Sequence, residues 1–161
     1  MDQKLKDLLI KQINEELYSS YLYLAMASDF ESKNLKGMAA WMSKQSMEET
    51  EHGMKIYSYL QERGEKPVLA QIDKPQESWA SPKDAFEASL KHEKHITGCI
   101  DKLVKAARAV EDYATEIFLQ WFVTEQIEEE ANVSDVLAKL EMVGSKSTGL
   151  YMLDRELGQR Q

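Results

Sequence analysis

The 161-residue sequence predicts an all-α fold: a four-helix bundle made of two antiparallel helical hairpins joined by a long crossover, with a short fifth helix at the C-terminus. Three observations predict it. Four segments repeat apolar residues at alternating spacings of four and three, the period of a helix buried along its length. Each of these seams is interrupted near its middle by a carboxylate, and the interruptions recur. Glu16 and Glu49 lie 33 positions apart, Glu93 and Gln126 lie 33 apart, and the second pair follows the first by 77. Only seven Gly and three Pro break the chain, against 43% hydrophobic and 30% charged residues, a balance that suits long amphipathic helices.

The first helix carries the seam Leu9, Ile13, Glu16, Ser20, Tyr23, Ala27 and Phe30. Short polar residues follow at Ser32-Lys33-Asn34, which suit a turn close to the midpoint between Glu16 and Glu49, where an antiparallel hairpin must reverse. The second helix presents Met38, Met42, Gln45, Glu49, His52, Ile56 and Tyr59. Gly64 to Pro82, with Pro67 and Pro75 between, cannot continue a helix and reads as the crossover. A helix of ~30 residues is ~45 Å long, and ~18 extended residues reach ~60 Å, so the crossover can return along the bundle and leave the second and third helices parallel. The third helix has Phe86, Leu90, Glu93, Thr97, Ile100, Val104 and Ala107. Val110-Glu111-Asp112 is a weaker break, with Asp112 as an N-cap. The fourth helix has Leu119, Phe122, Gln126, Glu129, Val133, Val136, Leu140 and Val143. Beyond Gly144, Leu150, Leu153 and Leu157 mark a fifth helix too short to stand without a partner surface.

A chain of this length fits one domain, here 1–161. Its formal charge of −8 repels nucleic acid and anionic lipid and favours cations. Neither a nucleic-acid nor a membrane partner is expected. The N-terminus opens directly into an amphipathic pattern and no stretch approaches ~20 apolar residues, so a cytoplasmic location is expected. Cys99 is the only cysteine, which excludes an internal disulfide and a Cys-rich metal cluster. It reads as a small hydrophobe beside the Ile100 seam position. His92 and His95 fall off the seam and read as surface histidines without a role, and Trp121 as a packing residue within reach of the polar layer.

One Glu on a helix usually marks a solvated face. Glu16, Glu49, Glu93 and Glu129, at matched levels on four seams that contain no Lys or Arg, instead place four carboxylates in an apolar interior. Their repulsion there is prohibitive unless protons or cations compensate. Two divalent cations balance four negative charges, with neutral His52 as a nitrogen ligand. Glu49 and His52 form a Glu-x-x-His at i, i+3, which turns both to one side of a helix, and Gln126 and Glu129 repeat the spacing. Carboxylates with one imidazole and no thiolate suit iron or manganese rather than structural zinc.

The motifs Asn14-Glu15-Glu16-Leu17-Tyr18-Ser19-Ser20, Glu48-Glu49-Thr50-Glu51-His52, Lys91-His92-Glu93 and Phe118 through Glu130 resemble those of bacterial and archaeal non-haem ferritins. The resemblance covers nearly the whole chain and extends to Gly149-Leu150-Tyr151-Met152-Leu153-Asp154. Related ferritin-like carboxylate proteins place single glutamates on two helices and Glu-x-x-His on the other two. By the resemblance, Glu16, Glu49 and His52 hold one iron, and Glu49 bridges to a second held by Glu93 and Glu129, with Gln126 beside it. Tyr23 then stands near the pair to hydrogen-bond a ligand or supply an electron and proton. Glu48, Glu125 and Glu128 resemble a third iron site.

The function implied is iron storage with ferroxidase activity: Fe(II) is oxidised with O2 or H2O2, and Fe(III) mineral is stored in a homo-oligomeric, 24-subunit cage. A peroxide-scavenging di-iron enzyme without storage is the rival. Bacterioferritins use Glu-x-x-His in both halves and a haem-binding methionine where Thr50 stands here, so haem is not expected.

Overall fold

A computed structural model describes residues 1–159 of the chain. Five helices account for its regular structure: α1 (Gln3–Ser32), α2 (Lys36–Glu62), α3 (Pro82–Ala109), α4 (Tyr113–Val143) and α5 (Ser147–Leu157). The described residues include no strand. No helix among them is long and apolar enough to cross a membrane.

The ends of the helices follow from local chemistry. Asp2, Ser81 and Asp112 cap α1, α3 and α4 by accepting from the backbone N–H of Leu5, Asp84 and Thr115. Pro82 does not belong to the crossover, as expected from the sequence, but opens α3 at its first position, where a missing N–H costs nothing. The first three helices stop in the same way. The N–H groups of Leu35, Glu65 and Asp112 reach back to the carbonyls of Phe30, Leu60 and Ala107 at 2.9–3.0 Å. The residue before each adopts positive φ: Asn34 at 59°, Gly64 at 73° and Glu111 at 54°. These are Schellman ends, and only one of the three uses glycine.

Paired contacts set the topology. Ser20 meets Ser46 and Glu16 packs against Gly53 between α1 and α2; Tyr23 meets Glu93 and Phe30 meets Phe86 between α1 and α3; Lys83 meets Glu141 and Arg108 meets Glu116 between α3 and α4. Gln45 meets Glu129 and Tyr59 meets Thr115 between α2 and α4. In every pair one number rises as the other falls, so adjacent helices are antiparallel and α2 runs parallel to α3 across the bundle. The crossover travels up the outside of α1: Glu65 pairs with the N-terminus and Lys6, Gln71 O accepts from Asn14, and Trp79 N–H donates to Asp29.

The fifth helix docks on the start of α2. Gly37 lies so close to Asp154 O that a Cβ there would stand 1.6 Å from it. Leu35, the N-cap residue of α2, has no side chain able to cap. Asp154 supplies the cap instead, accepting from Met38 N–H at 2.8 Å across 116 positions of sequence. Apolar side chains form two clusters, one around Leu9, Ile56, Ile100 and Phe122, the other around Phe30, Met42, Phe86 and Val136. The polar layer lies between them.

Candidate metal centre

Glu16 of α1, Gln45, Glu49 and His52 of α2, Glu93 of α3, and Gln126 and Glu129 of α4 are all buried. The helical register that buries the apolar seam residues on either side carries these groups inward with them. Two groups of three converge. One ligand atom each from Glu16, Glu49 and His52 lie within 4.8 Å of one another, and so do one each from Glu49, Glu93 and Glu129. Metal–ligand bonds of about 2.0–2.2 Å put opposed ligands roughly 4 Å apart, so one ion fits each group. Glu49 belongs to both. A third group joins His52, Glu125 and Glu129, with His52 Nδ1 3.3 Å from Glu49 and Nε2 3.8 Å from Glu125.

The surrounding contacts hold the carboxylates in place. Gln12 donates to Glu16 Oε1 at 2.9 Å. Gln45 donates to Glu129 at 2.5 Å and to Glu49 at 3.3 Å. Tyr23 donates to one oxygen of Glu93, and Gln126 donates to the other at 3.1 Å. Glu16 Oε2 is buried without a hydrogen-bond partner, which is costly in an apolar interior unless a cation meets it.

Electrostatics point the same way. Burial raises the Glu16 carboxyl well above its usual range, and the Glu49 charge adds to this. Glu49 is raised by burial and by Glu93 and Glu129. Glu93 is raised by burial, against the hydrogen bonds from Tyr23 and Gln126. Glu129 is pushed up to about 7, by burial and then by Glu93. Burial and the neighbouring carboxylates also raise the Tyr23 phenol well above its ordinary value, so it holds its proton. A site that favours neutral carboxyls when alone favours divalent cations in place of the protons.

The sequence-predicted ligands Glu16, Glu49, His52, Glu93 and Glu129 therefore come together, with Tyr23 and Gln126 beside them. Glu48, Glu125 and Glu128 do not form a comparable group among the described residues. Glu125 is drawn toward His52 and Glu129, Glu128 is exposed, and the Glu48 charge reaches Glu129. The Trp121 ring stands edge-on to His52 at 5.3 Å, with the Lys55 ammonium 4.3 Å from its centre.

His92 departs from the surface position expected of it. Its Nε2 lies 2.7 Å from Ser19 Oγ, and burial, then His95, lower its pKa to about 4, so the ring is neutral. Sequence reasoning gave no role to Gln12 or Gln45. Each stands four residues before a buried Glu, the spacing of neighbours on one helix face.

Comparison with known proteins agrees with this geometry. A model of the ferritin-like domain family, described as Ferritin, matches residues 6–143. A bacterial non-heme ferritin of Bacteroides fragilis strain 638R is 38% identical over 160 residues, covering 99% of both chains. One from Campylobacter jejuni is 36% identical over 155 residues, covering 96% of this chain and 93% of its own. Among solved structures, an open pore ferritin from the hyperthermophilic archaeon Archaeoglobus fulgidus superposes with a TM-score of 0.99 at 44% identity, covering 100% of this chain and 99% of that one.

Proposed function

This chain belongs to the ferritin family, and we propose that it oxidises Fe(II) at the buried carboxylate layer and stores the Fe(III) product as mineral inside a hollow assembly of its own subunits. The observation that carries this reading is the sharing of Glu49 between two buried three-ligand groups. Two ions tied through one carboxylate lie close enough to deliver two electrons to one oxidant.

Iron is the substrate. Glu16, Glu49 and His52 bind one Fe(II), and Glu49, Glu93 and Glu129 bind the other. The two Fe(II) lose one electron each; O2 takes both electrons and two protons to become H2O2, or H2O2 takes them to become two waters. The carboxylates hold the added positive charge. Gln45 and Gln126 orient Glu129 and Glu93 through the hydrogen bonds described above, and the protonated Tyr23 phenol, which holds Glu93, can supply one of the two protons. Glu125, beside His52 and Glu129, with Glu48 and the exposed Glu128 at the edge of the layer, offers a third ion a transient place on its way in or out. The apolar clusters above and below the layer exclude bulk water.

On this reading residues 1–161 act as one ferritin-like unit of a 24-subunit cage in the cytoplasm. Support for assembly comes from the large apolar side chains left exposed on the isolated chain, among them Ile117, Ile127 and Met142. Two measurements test the function. Stopped-flow oxidation should be fast up to two Fe(II) per chain and should be abolished by replacing Glu49 and His52 with Ala; an unchanged initial rate would overturn the site. Particle mass and iron content after aerobic loading should show an assembly holding far more iron than two per chain. A dimer retaining two would mean that the chain does not store iron.

A further inference from the structure

We propose that Glu15, His95 and Cys99 form a second metal site, separate from the buried layer, that takes a thiophilic divalent cation such as Zn2+. One ligand atom from each lies within 4.8 Å of the other two. Glu15 Oε2 is 2.9 Å from His95 Nε2, and Cys99 Sγ is 3.6 Å from the same nitrogen. The cluster is assembled by tertiary packing: His95 and Cys99 stand at i, i+4 on one face of α3, and Glu15 reaches them from α1.

The donor set differs in kind from the buried layer, which contains no sulfur. Thiolate, imidazole and carboxylate are the ligands of zinc sites, where three protein groups leave a fourth tetrahedral position for water. Soft thiolate selects zinc over cations that prefer an all-oxygen shell. A thiolate and a carboxylate carry two negative charges, which a divalent cation neutralises. The thiol is raised above its usual value by burial and by Glu15, so the metal binds by displacing the Cys99 proton to solvent, forming the metal–sulfur bond as the S–H bond breaks. Lys11 faces the other oxygen of Glu15 at 3.7 Å, so Oε2, which here meets His95 Nε2, is the oxygen turned toward the ion. Two departures from the sequence expectation meet here: Cys99 is not packed away as a small hydrophobe but half-buried, and His95 has two partners.

Co2+ is the probe, titrated into the full-length chain under reducing, oxygen-free conditions. A near-ultraviolet thiolate-to-cobalt charge-transfer band should grow, saturate at an intensity corresponding to one thiolate-bound Co2+ per chain once the buried layer is also filled, and disappear on addition of excess Zn2+. Cys99→Ser should eliminate the band, and His95→Ala should weaken Co2+ affinity at this site on the order of tenfold or more, both with unchanged helical circular dichroism. The variant with Ala at positions 49 and 52 should retain the band in full, which separates failure here from failure of the iron site. No sulfur band at saturating Co2+ would overturn the proposal. So would a band that titrates identically in His95→Ala and Glu15→Gln, since Cys99 would then bind alone.

Discussion

On the proposed reading Glu49 is the residue whose loss reaches furthest, because both buried three-residue groups contain it, whereas His52 belongs only to the first of the two. The glutamines act one step further out. Gln45→Ala removes the donor that fixes Glu129 and touches Glu49. It should weaken Fe(II) affinity or slow oxidation about 10–100-fold, read by stopped-flow absorbance, without changing the number of irons bound at saturation. The raised carboxyls have a consequence for pH. Glu129 holds its proton up to about 7 in the folded chain, above its ordinary value. The folded state therefore binds more protons than the unfolded one, so this contribution is full below about 4.5 and is lost as pH rises through about 7. After chelation of metal, the melting temperature should fall across that window, and Glu129→Gln should flatten part of the fall. At this scale the clustering of the buried carboxylates was legible because a carboxylate on an otherwise apolar seam must be compensated. Gln12 and Gln45 were not, since a buried amide and an orienting amide give the same pattern. His92 was hidden because α1, through Ser19, rather than the period of its own helix, encloses it.

The helices themselves were legible almost to the residue where a cap or a proline marks them, and less so where tertiary contact does the work. The break between α3 and α4 read weakly because Glu111, not glycine, takes the left-handed position at φ 54°. That conformation costs a residue with a Cβ roughly 1–2 kcal/mol. Glu111→Gly should therefore stabilise the chain by about 1 kcal/mol, which thermal denaturation should show as a rise of roughly 2–4 °C. Asn34, at φ 59° in the equivalent place, tolerates this geometry better. The crossover was legible as a connection but not in its path, because Asp29, Lys33 and Asn14 mark its route only once α1 is beside it.

At the scale of the bundle, the polar layer divides the apolar interior into two clusters, with four buried carboxylates and no buried Lys or Arg among the described residues. On the proposed reading, metal bound there would join the halves of the bundle as well as serve the chemistry. Fe(II) supplied without oxygen at about a hundred times its dissociation constant should stabilise the fold by about 2.7 kcal/mol per independent site. Differential scanning calorimetry should show the gain, and the variant with Ala at positions 49 and 52 should lose it. The repeat of 33 and 77 positions made this layer visible in the sequence; the proposed assembly of subunits would have no such period, because it would depend on surfaces rather than on helix faces turned inward.

The cap that Asp154 provides to α2 also has a temporal side. A chain made from its N-terminus completes the α1–α2 hairpin long before residue 154 leaves the ribosome. Throughout that interval the Met38 N–H has no aspartate to donate to, and the first turn of α2 is open to fraying. The fifth helix thus finishes the second, and the native state of the early hairpin waits on the arrival of residue 154.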